Sequence, residues 1–153
     1  MIVAASLLVG LGVNAFRADL ASSGQPRRLP LVTPPKADLA AGEIVAMTEA
    51  EQLWNEGVAF FLDSRTSADY QAGHIAHAHS LPDEDFASRY GDVEPLLTRD
   101  AEIIVYCDGV ECDLSHRLLE KLRALGYPRV RVLVNGWSEW RKAGLPTATG
   151  AQP

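Results

Sequence analysis

The chain has 153 residues, 47 % hydrophobic and 22 % charged, a composition typical of one globular domain that excludes intrinsic disorder and a polytopic membrane protein. Its 14 Lys and Arg residues against 20 Asp and Glu residues give a net charge of −6, which argues against a nucleic acid as partner because no broad positive field would attract phosphates. The two cysteines are too few for a disulfide framework or a four-cysteine zinc site.

The amino-terminal segment 1–17 is almost wholly apolar, although it is shorter than the roughly 20 residues that span a bilayer. No basic residue precedes its apolar run, as one would in a secretory signal peptide, so we interpret it as a single membrane anchor; a signal peptide and a buried helix are the alternatives. Positive charges follow the segment. By the positive-inside rule, this predicts a membrane-anchored protein whose remaining residues lie in the cytoplasm, with an exported, periplasmic location as the alternative.

A proline-rich segment, 18–42, follows the apolar one and contains four of the nine prolines. It shows no hydrophobic periodicity, and proline at this density favours extended geometry and prevents helix propagation. We therefore predict a semi-rigid linker that leads to a globular domain over 43–149.

Short apolar runs alternate with helical patterns from residue 43 onward. The predicted strands cover 44–47, 58–62, 78–81, 103–106 and 131–134. The predicted helices are one capped by Thr48, with Glu51 at the capping-box spacing, and others near 67–71, over 114–125 with Gly126 ending it, and over 137–142. This alternation predicts an α/β fold, a single doubly wound domain with a mainly parallel central sheet flanked by helices.

Cys107 directly follows the predicted buried strand 103–106 and precedes a loop and a helix. Ligands of such sheets bind beyond the carboxyl ends of the strands, and the amides and dipole of a helix amino terminus favour a thiolate over a thiol. Gly109 allows a tight turn that aims backbone amides at the sulfur. We predict that Cys107 is a nucleophile rather than a small buried apolar residue. The amides predicted to bind an anionic substrate are those of Asp108, Gly109, Val110, Glu111, Cys112 and Asp113.

Cys112 lies five residues after Cys107, close enough to meet it across a loop. It is either a resolving thiol, which takes sulfur from Cys107 or forms a disulfide with it, or a residue that packs under the loop. The acidic side chains of the loop oppose a thiolate if they point inward. We expect them to face solvent, with Asp113 free to cap the following helix.

Three separated signatures in the same order resemble the rhodanese family over about residues 43–149. The first signature is carried by Asp63, Arg65, Asp69, Tyr70, Gly73, His74 and Ile75. The second is the run IIVYC, which ends at Cys107 and leads into a glycine-containing loop and a helix. The third is carried by Gly136, Trp137, Trp140, Gly144 and Pro146.

This resemblance implies a sulfurtransferase that needs no cofactor and no metal. The Cys107 thiolate would take the outer sulfur of a small anionic donor such as thiosulfate, carry it as a persulfide, and pass it to a thiol acceptor or cyanide. Two features depart from the family: the glycine comes two residues after the cysteine rather than three, and Cys112 stands where Arg, Ser or Thr is common.

Two other functions are compatible with these residues. One is a non-catalytic rhodanese-like module that binds partners, although such modules usually lack the cysteine. The other is a cysteine-dependent phosphatase or arsenate reductase, which needs an Arg at the end of the loop to bind a tetrahedral dianion. Glu111 and Asp113 occupy that region here, so phosphate would be a poor ligand.

Several conspicuous side chains are interpreted as structural. His74, His77 and His79 are not spaced to share one face, so we predict no metal site, and the resemblance makes His74 a structural residue. We expect Asp63 and Arg65 to hold loops together by hydrogen bonds rather than to take part in sulfur transfer. Trp137 and Trp140 are predicted to pack in the core.

Overall fold

The computed structural model describes residues 40–109 and 113–153. Its strands are β1 (Ala59–Asp63), β2 (His74–Ile75), β3 (His79–Ser80), β4 (Glu102–Tyr106), β5 (Val130–Leu133) and β6 (Thr147–Ala148). Its helices are α1 (Met47–Glu56), α2 (Ser67–Ala72), α3 (Phe86–Val93), α4 (Leu114–Ala124) and α5 (Gly136–Lys142), with 3₁₀ turns at Ala41–Glu43 and Glu94–Leu96.

Four strands form a parallel sheet in the order β3-β1-β4-β5. The strands end level with one another, since Asp63 lies opposite both Ser80 and Tyr106, and Tyr106 lies opposite Leu133. A separate antiparallel pair joins β2 to β6. The predicted α/β fold with a mainly parallel sheet flanked by helices is confirmed.

Side chains of β4 alternate between two hydrophobic cores, one on each face of the sheet. Ile103 and Val105 pack in the core that contains Leu118 of α4. Ile104 packs in the opposite core with Trp140 of α5. Because β4 is covered on both faces, its sequence is a continuous apolar run rather than an alternating one. The residue that follows β4 is thus held at a rigid, buried strand end.

The predicted first strand and the predicted first helix cap are both wrong. Residues 44–47 contribute only an isolated parallel bridge between Ile44 and Val132, after which α1 begins. Thr48 lies within α1, whose N-cap is Ala46 with no side-chain hydrogen bond. The bridge at the edge of β5, where the Val45 N–H donates to the Val132 carbonyl at 3.0 Å, fixes the chain immediately before the helix. The beginning of α1 is therefore set by contact with β5 rather than by a polar cap.

The predicted membrane anchor, 1–17, lies outside the described residues, as does most of the predicted linker, 18–42. Within the described ranges, no helix combines the length and apolarity that a bilayer crossing needs. The longest of these helices, α4, has 11 residues, whereas a crossing takes about 20. The predicted membrane-anchored localisation is corrected accordingly: no helix of the described ranges can serve as the anchor.

Candidate active site

The candidate site lies where the parallel strands end. Cys107 follows β4 directly, and Ser64 follows the neighbouring strand β1. Ser64 fastens the two strand ends together, because its N–H and its hydroxyl both donate to the Tyr106 carbonyl, at 3.0 Å and 2.9 Å. The structure thus places Cys107 at the carboxyl edge of the sheet, as its position after an apolar run predicts.

The sulfur of Cys107 faces the first turn of α4. Its Sγ lies 3.3 Å from the Ser115 Oγ, and each of the two residues is only 1 % exposed. Ser115 is a site residue that sequence reasoning did not single out. The signal that could have found it is a lone polar residue on the buried face of α4, which it shares with Leu118 and Leu122.

The redox state of the Cys107 sulfur determines whether this residue can act as the predicted nucleophile. No cysteine in the described part of the chain is a free thiol. A nucleophilic thiolate at this position is therefore the product of reduction. Cys107 is also buried in this state.

The beginning of the cysteine loop contacts the beginning of α5. The Trp137 N–H donates to the Cys107 carbonyl at 3.2 Å. Gly109 has a φ of +86°, which permits the predicted tight turn. The turn directs the Gly109 N–H toward side-chain oxygens, namely the Asn135 Oδ1 at 2.9 Å and the Asp108 Oδ1 at 3.0 Å. The sequence predicts that this amide faces a bound anion, whereas in the structure these oxygens accept its hydrogen bonds.

The rest of the predicted loop is described only at its end. Val110, Glu111 and Cys112, with their predicted roles, lie outside the described residues. Asp113 is exposed at the N-cap of α4, but its side chain makes no capping hydrogen bond, so the predicted cap is wrong. The physical reason is its backbone, which already has helical angles (φ −79°, ψ −9°) where a capping residue is usually extended.

A buried ion pair fixes the end of β1. The Arg65 Nε lies 3.0 Å from the Asp63 Oδ1, and the Arg65 Nη2 lies 2.6 Å from the Asp63 Oδ2 and 2.7 Å from the Gly73 carbonyl. The guanidinium carbon also lies 4.6 Å from the centroid of the Trp137 ring. Burial by itself lowers the pKa of Arg65, but the hydrogen bond and charge of Asp63 outweigh it, and the net effect raises the pKa. In this structure the pair joins β1 to the loop after α2.

The three neighbouring histidines pack against separate aromatic side chains. Ring stacking joins His74 to Tyr70, His77 to Trp54 and His79 to Phe60, with centroids 3.7, 5.8 and 4.9 Å apart. The His74 Nδ1 also lies 2.8 Å from the Tyr70 carbonyl. Each of these rings therefore has its own packing partner.

The fold and this site define an α/β domain with a cysteine at the carboxyl edge of a parallel sheet, the edge where such folds bind ligands. The sequence model of the rhodanese-like domain matches residues 46–143. The chain belongs to the rhodanese-like domain family.

Known proteins similar to the chain differ in size and in the functions that their names state. The HTH-type transcriptional regulator Rv0324 of Mycobacterium tuberculosis is 36 % identical over 117 residues, which cover 75 % of this chain and 50 % of that protein. The chain thus spans half the length of this relative. The sulfur carrier protein TtuD of Thermus thermophilus is 33 % identical over 97 residues, covering 54 % of this chain and 33 % of that protein. The solution structure of the rhodanese-like domain of the Anabaena Alr3790 protein has a TM-score of 0.59 and 27 % identity, and the match covers 71 % of this chain and 80 % of that one.

Proposed function

We propose that the chain is a sulfurtransferase in which Cys107 carries sulfane sulfur as a persulfide. The observation that carries this proposal is the position of the Cys107 Sγ between a buried strand end and the first turn of α4, 3.3 Å from the Ser115 Oγ. The first amides of a helix have no partner within the helix, and together with a hydroxyl they favour an anionic sulfur. The similarity to a protein named as a sulfur carrier supports the proposal.

The reaction has two displacement steps. The thiolate of reduced Cys107 attacks the outer sulfur of a donor such as thiosulfate, the S–S bond of the donor breaks, and sulfite leaves with the electron pair. A thiol acceptor in its thiolate form, or cyanide, then attacks the outer sulfur of the persulfide and releases the Cys107 thiolate. The loop amides other than that of Gly109, those of residues 108 and 110–113, are the predicted donors to these anions.

The proposal is tested by thiosulfate:cyanide transfer with the full chain after reduction. We expect thiocyanate to form, and the Cys107→Ser variant to form none. Intact mass spectrometry of the Cys112→Ser chain after thiosulfate treatment should show an adduct of about 32 Da, one sulfur atom, that is absent when Cys107→Ser is added. Thiocyanate formation by Cys107→Ser at the rate of the unaltered chain would remove Cys107 from the mechanism.

We further propose that Cys112 is the resolving thiol. Its thiolate would attack the inner sulfur of the Cys107 persulfide, form a disulfide with Cys107 and release the outer sulfur as hydrosulfide. The absence of a free cysteine among the described residues supports such a pairing chemistry. With Cys112→Ser, the persulfide adduct should accumulate on Cys107. An adduct that is equally abundant in the unaltered chain and in Cys112→Ser would make Cys112 structural.

The burial of Cys107 favours a second candidate, a non-catalytic module that binds partners. In this case the sulfur is a core atom and never meets a donor. The two candidates separate in the experiment above, because a reduced chain that yields neither thiocyanate nor a persulfide adduct with thiosulfate or with a persulfide donor fits only the second.

A further inference from the structure

Two side chains, that of Ser138 in α5 and that of its N-cap Asn135, contact the first turn of the cysteine loop. The Ser138 hydroxyl donates to the Asp108 Oδ1 at 2.5 Å, and the Asn135 Oδ1 accepts from the Gly109 N–H at 2.9 Å. With the backbone hydrogen bond from α5 to the Cys107 carbonyl, three consecutive loop residues are each bound to the same short stretch of chain. The direction in which the loop leaves the strand is therefore set by α5.

The side chain of Asn135 joins the cysteine loop to a side chain of α5 instead of capping the backbone of that helix. Asn135 is the N-cap of α5 with left-handed backbone angles (φ 52°, ψ 32°), a region that few residues other than glycine and asparagine adopt. Its side chain makes no capping hydrogen bond to α5. The amide instead accepts from Gly109 through Oδ1 and donates from Nδ2 to the Glu139 Oε1 at 3.3 Å.

Asp108 carries a negative charge one residue away from the sulfur. A carboxylate within about 4–6 Å of a thiolate disfavours the charged sulfur. In the structure the two groups point to different helices: the Cys107 Sγ contacts Ser115 of α4, whereas the Asp108 carboxylate contacts Ser138 of α5. We propose that Ser138 and Asn135 are positioning residues that hold the Asp108 carboxylate and the Gly109 turn against α5, and so keep this charge away from the Cys107 sulfur.

In the described part of the chain, the other ionisable groups near the strand ends are buried, paired with an opposite charge or exposed to solvent. Burial raises the pKa of Tyr106 well above its usual range, so its phenol stays neutral. Within the ranges 40–109 and 113–153, the other groups are the pair Asp63 and Arg65, the cluster of Asp83 with Arg117 and Lys121, the exposed Asp113, the partly exposed His116 in the first turn of α4, and Glu139 with Lys142. Asp108 differs from the paired carboxylates because the structure gives it neutral donors, a hydroxyl and an amide. The effect of Asp108 on the sulfur therefore depends on where its carboxylate lies, rather than on neutralisation of its charge by a paired cation.

The inference rests on the proposed function because it takes Cys107 as the reacting group, but its test does not require sulfur transfer. The full chain with Cys112→Ser leaves Cys107 as its one cysteine, and its alkylation by iodoacetamide is followed against pH after reduction. Adding Ser138→Ala should move the midpoint of this curve upward by about half a pH unit. At a pH below the midpoint, this corresponds to an alkylation rate about threefold lower. The shift is small because Asp108 is exposed, and it should shrink in 1 M NaCl, where the screening length is about 3 Å.

Adding Asp108→Asn to the chain with Cys112→Ser and Ser138→Ala tests whether the shift of the midpoint comes from the charge of Asp108. This change should return the alkylation midpoint to the value of the Cys112→Ser chain. Asn135→Gly keeps the left-handed backbone and removes the acceptor for the Gly109 N–H, so it should shift the midpoint in the same direction as Ser138→Ala. It replaces Ser138→Ala in this test if that variant does not fold. An unchanged midpoint in the folded variants overturns the inference, as does a shift that persists with Asp108→Asn or at high salt. A chain with this pH behaviour and no sulfur transfer would contradict the proposed function alone.

Discussion

Replacing Ser115 with alanine tests the contact that most directly involves the candidate nucleophile. The change removes one oxygen that lies 3.3 Å from the Cys107 Sγ, in a place where both residues are 1 % exposed. A hydrogen bond to a charged group contributes about 1.5–3 kcal/mol. At about 1.4 kcal/mol per unit of pKa, its loss should move the midpoint of thiolate reactivity upward by about one to two pH units.

The assay is the alkylation of reduced Cys107 against pH in the Cys112→Ser chain, together with the rate of persulfide formation from thiosulfate. At a pH below both midpoints, each rate should fall about tenfold to a hundredfold. Ser64→Ala is a matched control, because Ser64 is equally buried but donates to the Tyr106 carbonyl instead of the sulfur. It should cost about 1 kcal/mol of stability and leave the midpoint in place.

Two results would contradict a role of the Ser115 hydroxyl at the sulfur. If Ser115→Ala leaves the alkylation midpoint unchanged while the protein stays folded, the hydroxyl does not stabilise the anionic sulfur. If Ser64→Ala moves the midpoint as far as Ser115→Ala does, the effect comes from a general loosening of the strand ends.

Three further changes test the surroundings of the site. Gly136→Ala should destabilise the protein by about 2–3 kcal/mol in urea unfolding, because the added Cβ would lie 2.7 Å from the Cβ of the last residue of β4. Asp63→Ala should cost about 3–5 kcal/mol in the same assay, because it leaves the buried guanidinium of Arg65 without its partner. Burial lowers the pKa of His79 below its usual 6.5, so the unfolded chain binds the proton more readily, and thermal stability should decline as the pH falls below 6.5. His79→Gln should flatten this decline.

Each of these changes has a control or a contradicting outcome. Gly91→Ala adds a Cβ in open space within α3 and should stabilise by about 0.5–1 kcal/mol, so equal losses at Gly91 and Gly136 would contradict the close-approach argument. Lys142→Ala breaks an exposed ion pair with Glu139 and should cost at most about 0.5 kcal/mol. If the decline in stability below pH 6.5 has the same slope with and without His79, another group is responsible for it.

The elements that place the cysteine can be predicted from local residue patterns. The apolar run before Cys107 indicates a strand buried on both faces, and the leucine spacing after the loop indicates the amphipathic helix α4, because both signals are local periodicities. The alternation of such elements is sufficient to predict the parallel sheet and the position of Cys107 at its carboxyl edge. The family signatures at Asp63 and Gly136 lie where the structure shows a buried ion pair and a close backbone approach.

The side chains around the sulfur, in contrast, come together only through the packing of α4 and α5 against the sheet. Ser115 approaches Cys107 because α4 packs against the sheet, and Asn135 meets Gly109, 26 residues away along the chain, because α5 begins beside β4. The two-residue strands β2 and β6 are likewise defined by each other, since segments this short carry no periodicity of their own. Contacts of this kind depend on how distant elements pack, which no local pattern of residues specifies.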